Sequence, residues 1–310
     1  MKSNSLRTAL AVILLAALTL LLSSPNMLAE SKWTPLPIDI SPGPVPNKAL
    51  YGADGMSYKD PSIEVVGGEG RAYDTNYIYL RIKIADASQL RTAPASRFTS
   101  QSATLGRSIA KRYNAVAAIN GDFFMMDSLS VAIRQGTLYR NRPTGEDVLV
   151  IDNQGDFHVL KGPETKEDVE AALAEMEEQG LTAINALTFG PLMVENNECQ
   201  VPDDEHYKYF STGAQGYAQR ITFSQLGPLD YLVIATEGPD NENSRGMTLH
   251  EMAVTTQEVG QQLAENGCVL SYNLDGGSSS TIIVNNAKIN APGAKSRYIN
   301  DIIYFATLVP

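Results

Sequence analysis

The residues best suited to chemistry stand in one run, Asn273-Leu274-Asp275-Gly276-Gly277-Ser278-Ser279-Ser280-Thr281. An apolar run, Cys268-Val269-Leu270, leads into it, and another, Ile282-Ile283-Val284, follows. A strand end can aim a carboxylate such as Asp275 into a cleft. Two glycines let the backbone approach a ligand or take positive φ. Composition alone also allows an ordinary polar turn. Other polar residues occupy similar places. Asn120 and Asp122 follow an apolar run over 115–119, and Glu237 follows one over 231–235. Glu251 lies one turn into a helix that begins after Ser244-Arg245-Gly246-Met247-Thr248. Arg220 stands inside a strand and Arg297 just before the last one. If these ends converge, carboxylates can act as acid, base or nucleophile on a glycosidic bond. Guanidinium groups can grip phosphate oxygens with a bidentate fork. Each residue also has a structural reading. Arg220 could pair with an acid, Glu251 could favour a helix N-terminus, and Asp122 could be a turn residue.

The elements that must position them can be read from periodicity. Strands are expected over 77–84 and 115–119, with a weak helix over 99–113. Four strands, over 131–133, 136–139, 148–151 and 157–160, read as an antiparallel meander. A helix over 164–179 carries a Thr165–Asp168 capping pair, an apolar stripe of Val169, Leu173 and Met176, and a stop at Gly180. Strands over 183–189 and 192–194 flank Gly190-Pro191, and strands over 219–223 and 231–235 form a hairpin. An amphipathic helix over 248–266 has Gly267 as its cap, and a strand over 301–308 closes the chain. The expectation is an α+β fold: a single domain, residues 49–310, with mixed, largely antiparallel sheets flanked by helices.

The preceding residues read differently. Prolines at 35, 37, 42, 44 and 46 make residues 30–48 an extended linker. Lys2 and Arg7, followed by an apolar stretch over 9–22, make residues 1–29 a signal peptide or an N-terminal membrane anchor. Either places the rest of the chain outside the cytoplasmic membrane, secreted or anchored to its outer face.

The 310-residue chain has a formal net charge of −11. Such a surface repels phosphate backbones and argues against nucleic-acid partners. It still permits a local anion site built from a few arginines. Cys199 and Cys268 could form a disulfide in an oxidising compartment, although Cys268, inside an apolar run, fits a buried thiol equally well. His158, His206 and His250 show no zinc-ligand spacing with the cysteines. Gly276-Gly277-Ser278-Ser279 lacks the lysine of a P-loop, and no Gly-x-Ser-x-Gly elbow occurs.

Six segments then occur in one order. They are Ala118-Ile119-Asn120-Gly121-Asp122-Phe123-Phe124, Phe189-Gly190-Pro191-Leu192-Met193-Val194, Gln219-Arg220-Ile221-Thr222, Ser244 through Glu251, Asn273 through Thr281, and Arg297 with Asn300. This ordered set resembles the phosphodiester glycosidase family, whose bacterial members include secreted, exopolysaccharide-related proteins. The resemblance covers about residues 100–308. It implies a hydrolase that cleaves a sugar–phosphate bond at the anomeric carbon of a phosphorylated glycan or cell-surface polysaccharide. Asp275 or Glu251 would be nucleophile or base. Arg220 and Arg297 would hold the phosphate, and Asn120 and Asn273 would bind sugar hydroxyls. Asp122, Arg245, Gly276, Gly277, Ser279, Ser280 and Asn300 complete the substrate-binding candidates. No cofactor is required on this reading, and no metal ligands are assigned; a divalent cation such as Ca2+ is compatible with it. The chain departs from the resembled pattern at Asp122, Glu237 and Ser278. Two other readings stay open: a non-catalytic polysaccharide-binding module, and a metal-dependent phosphodiesterase holding a cation between several acids.

Overall fold

The computed structural model describes residues 33–122, 130–210, 213–291 and 296–310. The leader segment expected over 1–29 lies outside them, as do Phe123 and Phe124. Among the described residues no helix is long and apolar enough to cross a membrane. Residues 35–310 form one compact unit.

The strands, in chain order, are β1 (Tyr58–Lys59), β2 (Ile63–Ala72), β3 (Thr75–Ile84), β4 (Leu90–Pro94), β5 (Ala117–Asn120) and β6 (Val131–Arg134). There follow β7 (Thr137–Asn141), β8 (Val148–Asp152), β9 (Phe157–Leu160), β10 (Ala183–Thr188), β11 (Leu192–Glu195) and β12 (Glu198–Cys199). The last six are β13 (Ile221–Gly227), β14 (Asp230–Thr236), β15 (Leu270–Asn273), β16 (Ile282–Val284), β17 (Ala287–Lys288) and β18 (Asp301–Phe305). Among the described residues three α-helices, α1 (Gly106–Arg112), α2 (Lys166–Glu178) and α3 (Leu249–Leu263), are interspersed.

The strands form three sheets, ordered β1-β2-β3-β14-β13-β15-β11-β12, β7-β6-β10-β8-β9 and β17-β16-β5-β18-β4. Every pairing between these strands is antiparallel. One apolar core lies where the sheets meet. It takes Leu80, Phe223, Val233 and Tyr272 from the first sheet, Leu149, Ile151 and Leu187 from the second, and Ile119, Ile282 and Phe305 from the third. Each sheet then has a helix on a second face. Helix α3 packs Met252, Ala253 and Val259 against the first, α2 packs Val169 and Met176 against the second, and α1 packs Ile109 and Ala110 against the third. The domain is α+β, as its alternation and helical stripes indicate.

Three expectations change in detail. The meander is interrupted, because β10 inserts between β6 and β8. Strands β10 and β11 flank Gly190-Pro191 but belong to different sheets. The proline-rich segment is not a free tether. Arg91, 1% exposed, donates to the carbonyls of Pro37, Asp39 and Ser41, while Gln135 and Asn114 hold those of Asp39 and Gly43. Extended proline-rich backbone has no internal hydrogen bonds, so its carbonyls are available to buried side-chain donors.

Candidate active site

Asp275 stands two residues past β15, on the loop that leaves the first sheet and enters the third as β16. Gly277, at φ +55, and a short 3-10 turn over Gly277–Ser279 make the reversal. A side chain at Gly276 would strike the Gln219 carbonyl at 2.5 Å, so the loop lies directly on the backbone that enters β13. The Gly277 N–H donates to that carbonyl at 2.9 Å.

Asn120, at the end of β5, clamps the loop at both ends. Its Nδ2 donates to the Asp275 carbonyl at 2.9 Å and its Oδ1 accepts from the Thr281 N–H at 3.0 Å. A third bond, to the Gly121 carbonyl, uses the remaining amide proton. In this arrangement the Asn120 carboxamide is spent on backbone, which makes it a positioning group for Asp275. The half-buried Asp275 carboxyl is pushed above its ordinary range by burial. The Ser279 hydroxyl and the positive charge of Arg297 pull it back down, and the negative charge of Asp122 pushes it up. Arg297 is exposed and its N–H donates to the Ser278 carbonyl. Ser280 is buried, with its carbonyl and hydroxyl both facing the Asn290 amide.

Beneath this loop lies a buried ionic group. Arg134 donates to Asp122 at 2.6 Å and to Asp301 at 2.9 Å, with all three side chains at most 1% exposed. It also donates to the carbonyls of Ile133 and Ala186. Asp122 also accepts from the Thr188 N–H at 2.9 Å. Burial pushes Asp301 up to about 6 against the pull of Arg134. Among the described residues Asp301 Oδ1 has no hydrogen-bond partner, and it lies 2.3 Å from where a side chain on Gly121 would begin. Glycine is therefore required between Asn120 and Asp122. Sequence reasoning found Asp122 but missed Arg134 and Asp301. The available signal was an arginine ending an otherwise apolar strand, Val131-Ala132-Ile133-Arg134, and an aspartate opening another, Asp301-Ile302-Ile303.

The remaining candidates are placed elsewhere. The backbone of Arg220 abuts Gly276, but its guanidinium donates to the carbonyls of Met247, Gly213 and Gly216. Burial lowers its pKa to about 10. Glu251 is the third residue of α3. Its Oε2 accepts from the Thr248 N–H while Thr248 Oγ1 accepts from the Glu251 N–H, a reciprocal capping box. Its Oε1 takes Arg245 at 2.7 Å, and that guanidinium lies 4.1 Å over the Tyr217 ring. Glu251 is thus engaged as a helix cap and ion-pair partner. Asn273 Nδ2 holds the Gly190 carbonyl at 2.8 Å, and Asn300 Nδ2 holds that of Ser102 at 3.0 Å. Cys199 and Cys268 are free thiols, so the permitted disulfide is absent; burial pushes Cys268 up to about 12. Among the described residues no group of three or more His, Cys, Asp and Glu is placed to hold a metal ion.

The strand ends therefore converge on Asp275 from three directions: β15 carries it, β5 clamps it, and β13 underlies its loop. The fold is similar to that of the zebrafish N-acetylglucosamine-1-phosphodiester alpha-N-acetylglucosaminidase catalytic domain, auto-inhibited by its pro-peptide. That match has a TM-score of 0.61 and 16% identity, over 80% of this chain and 84% of that one. A hypothetical protein from Synechocystis matches with a TM-score of 0.55 and 13% identity, over 78% of this chain and 62% of that one. At these identities the likeness concerns the fold alone. No curated protein matches the sequence. The phosphodiester glycosidase family matches residues 113–306, well over half of the chain. On that match, the chain belongs to the phosphodiester glycosidase family.

Proposed function

We propose that this protein is a glycosidase that hydrolyses a sugar-1-phosphodiester at the anomeric carbon, working outside the cytoplasmic membrane on a phosphorylated glycan. The carbon–oxygen bond between C1 and the bridging oxygen breaks. Water supplies its oxygen to C1, and the bridging oxygen leaves with the phosphomonoester. The leaving phosphate is a stable anion, so strong protonation by a general acid is less needed than with a sugar alkoxide. What the protein must supply is a carboxylate at the sugar and positive potential at the phosphate.

Asp275 is the group that carries this reading. Its carboxyl is made more basic by burial, is oriented by Ser279, and sits on a loop clamped through its own backbone. A more basic carboxylate is a better nucleophile or base once ionised. Arg297, whose charge is felt at Asp275, supplies the positive potential. Glu251, committed to its cap, is assigned to the fold and not to the reaction.

The test is hydrolysis of a panel of sugar-1-phosphodiesters in ¹⁸O-enriched water. Label in the free sugar supports cleavage at C1. Label in the phosphate would assign the chemistry to phosphorus and overturn the proposal.

A further inference from the structure

A cleft of about 530 Å³ opens at one end of the first sheet, lined by Glu69, Arg71, Asn76, Ile78, Glu237 and Ile289, among others. This lies within the ~300–1,000 Å³ range common for small-molecule sites. The register explains its composition. Directly paired residues share a sheet face. Glu69 pairs with Ile78, Arg71 with Asn76, and Ala235 with Ile78. Glu237 extends the ladder by donating its N–H to the Asn76 carbonyl. All of these side chains therefore point to the face that carries the central core, while Tyr77 points to the opposite face, under α3.

The polar side of the cleft is built, not merely exposed. Arg71 Nη1 donates to Asn76 Oδ1 at 2.8 Å and to the Asn243 carbonyl at 2.7 Å. Asn76 Nδ2 in turn donates to Glu237 Oε2 at 2.9 Å, and the Ser244 hydroxyl donates to the same oxygen at 2.5 Å. The chain of bonds fixes one carboxylate with both donors on Oε2. The apolar side is Ile78, Ala235 and Ile289. Ile289 and Ala291 are tied to the candidate catalytic loop. The Ile289 N–H donates to the Ile282 carbonyl, and Asn290 Nδ2 donates to the carbonyl of Ser280.

We propose that this cleft is the sugar-recognition pocket, taking an uncharged, hydroxyl-bearing pyranose ring, with Glu237 as the acceptor that selects it. The inference rests on the glycosidase reading for its place in catalysis, and on the cleft alone for the ligand class. A pyranose has an apolar C–H face and a rim of hydroxyls, which match the Ile78–Ile289 surface and the fixed carboxylate. Glu69 and Glu237 disfavour a phosphate or a uronate beside them, and Arg71 is already engaged by Asn76 and the Asn243 carbonyl, so the cleft suits the neutral ring better than the phosphate.

The experiment is saturation-transfer NMR on the full folded chain, with methyl glycosides of neutral hexoses and N-acetylhexosamines, glucuronate and glucose 6-phosphate as probes. At least one neutral glycoside should receive transfer through its ring C–H protons, and the anionic probes about tenfold less. Glu237→Ala should weaken the neutral ligand about tenfold, as expected for loss of a charge-assisted hydrogen bond. Arg71→Ala, at a surface position, should weaken it severalfold by releasing Asn76. Thermal melts confirm that each variant is folded. Absence of transfer from every neutral glycoside, or transfer unchanged in both folded variants, overturns the proposal. Diester hydrolysis is assayed separately. Sugar binding without hydrolysis would sink the glycosidase reading and leave the cleft assignment standing, while hydrolysis without sugar binding would do the reverse.

Discussion

Asp275 and Glu251 are both acids within the residues that match the family, yet their surroundings separate them. Asp275 has the Ser279 hydroxyl and the positive charge of Arg297 to steady it. Glu251 has a backbone N–H and a guanidinium in direct contact. Asp275→Asn should retain the fold by circular dichroism and lower diester turnover by about 10²–10⁴-fold, the range for loss of a positioned acid–base group. Glu251→Gln should instead cost about 1 kcal/mol of stability, read by urea denaturation, with kcat largely kept. A collapse of kcat without loss of stability would contradict the cap assignment. The raised pKa of Asp275 also has a kinetic sign. In the proposed role its reactive form is the ionised one, so turnover should fall as pH drops, and the acidic limb should lie higher than an unperturbed aspartate would place it. A pH profile of kcat/KM checks this, and Asp275→Asn should abolish that limb in the residual rate.

The elements show which parts of the fold can be read locally. Helix α2 was legible from a capping pair and a 3.6-residue stripe, and α3 from its stripe, because such signals are contained within one segment. The β13–β14 hairpin was legible for the same reason. Strand β2 was not, because Gly67, Gly68 and Gly70 break its alternation. The structure explains these glycines from across the sheet: side chains at Gly68 and Gly70 would meet the Tyr79 and Tyr77 rings at 2.4 and 2.3 Å. Sheet membership was equally hidden. Nothing local in Asn273 through Val284 shows that its two strands join different sheets. The place of Asp275 at a strand end was legible, but the hydrogen bonds that Asn120 makes there were not. Asn120 suggested a hydroxyl ligand, and only the contact with a carbonyl 155 positions away shows its carboxamide spent on the loop. The docked proline segment gives a prediction at this scale. Removing residues 1–48 deletes the carbonyls that cap Arg91 and leaves a buried guanidinium short of acceptors. Such a truncation should lower the unfolding midpoint in urea relative to a chain beginning at residue 35.

At the level of the whole molecule, Arg134 ties the second sheet to the third, through Asp301 at the start of β18 and Asp122 just past β5. Arg134→Met would leave two buried carboxylates facing each other, and breaking such a group typically costs about 3–5 kcal/mol. Urea denaturation measures it. Asp301 adds a pH dependence. Its folded pKa, about 6, stands above its ordinary 3.8. Between those values the folded state keeps a proton that the unfolded chain releases, so the contribution of this group falls as pH rises through the window. Asp301→Asn should flatten that part of the stability–pH curve.

The loop that carries Asp275 from one sheet into another has a consequence for how activity appears in time. Its clamp to Asn120 closes over 155 positions of chain, and the ionic group beneath it closes over 167. Contacts so distant in sequence form late, after the entropy of closing long loops has been overcome. Helical signal should therefore return early on dilution from denaturant, while catalytic competence returns only with the final docking of sheet on sheet. On the proposed function, hydrolysis would serve as a clock for completion of the fold. A brief separation of the first and third sheets should switch it off while each sheet remains intact.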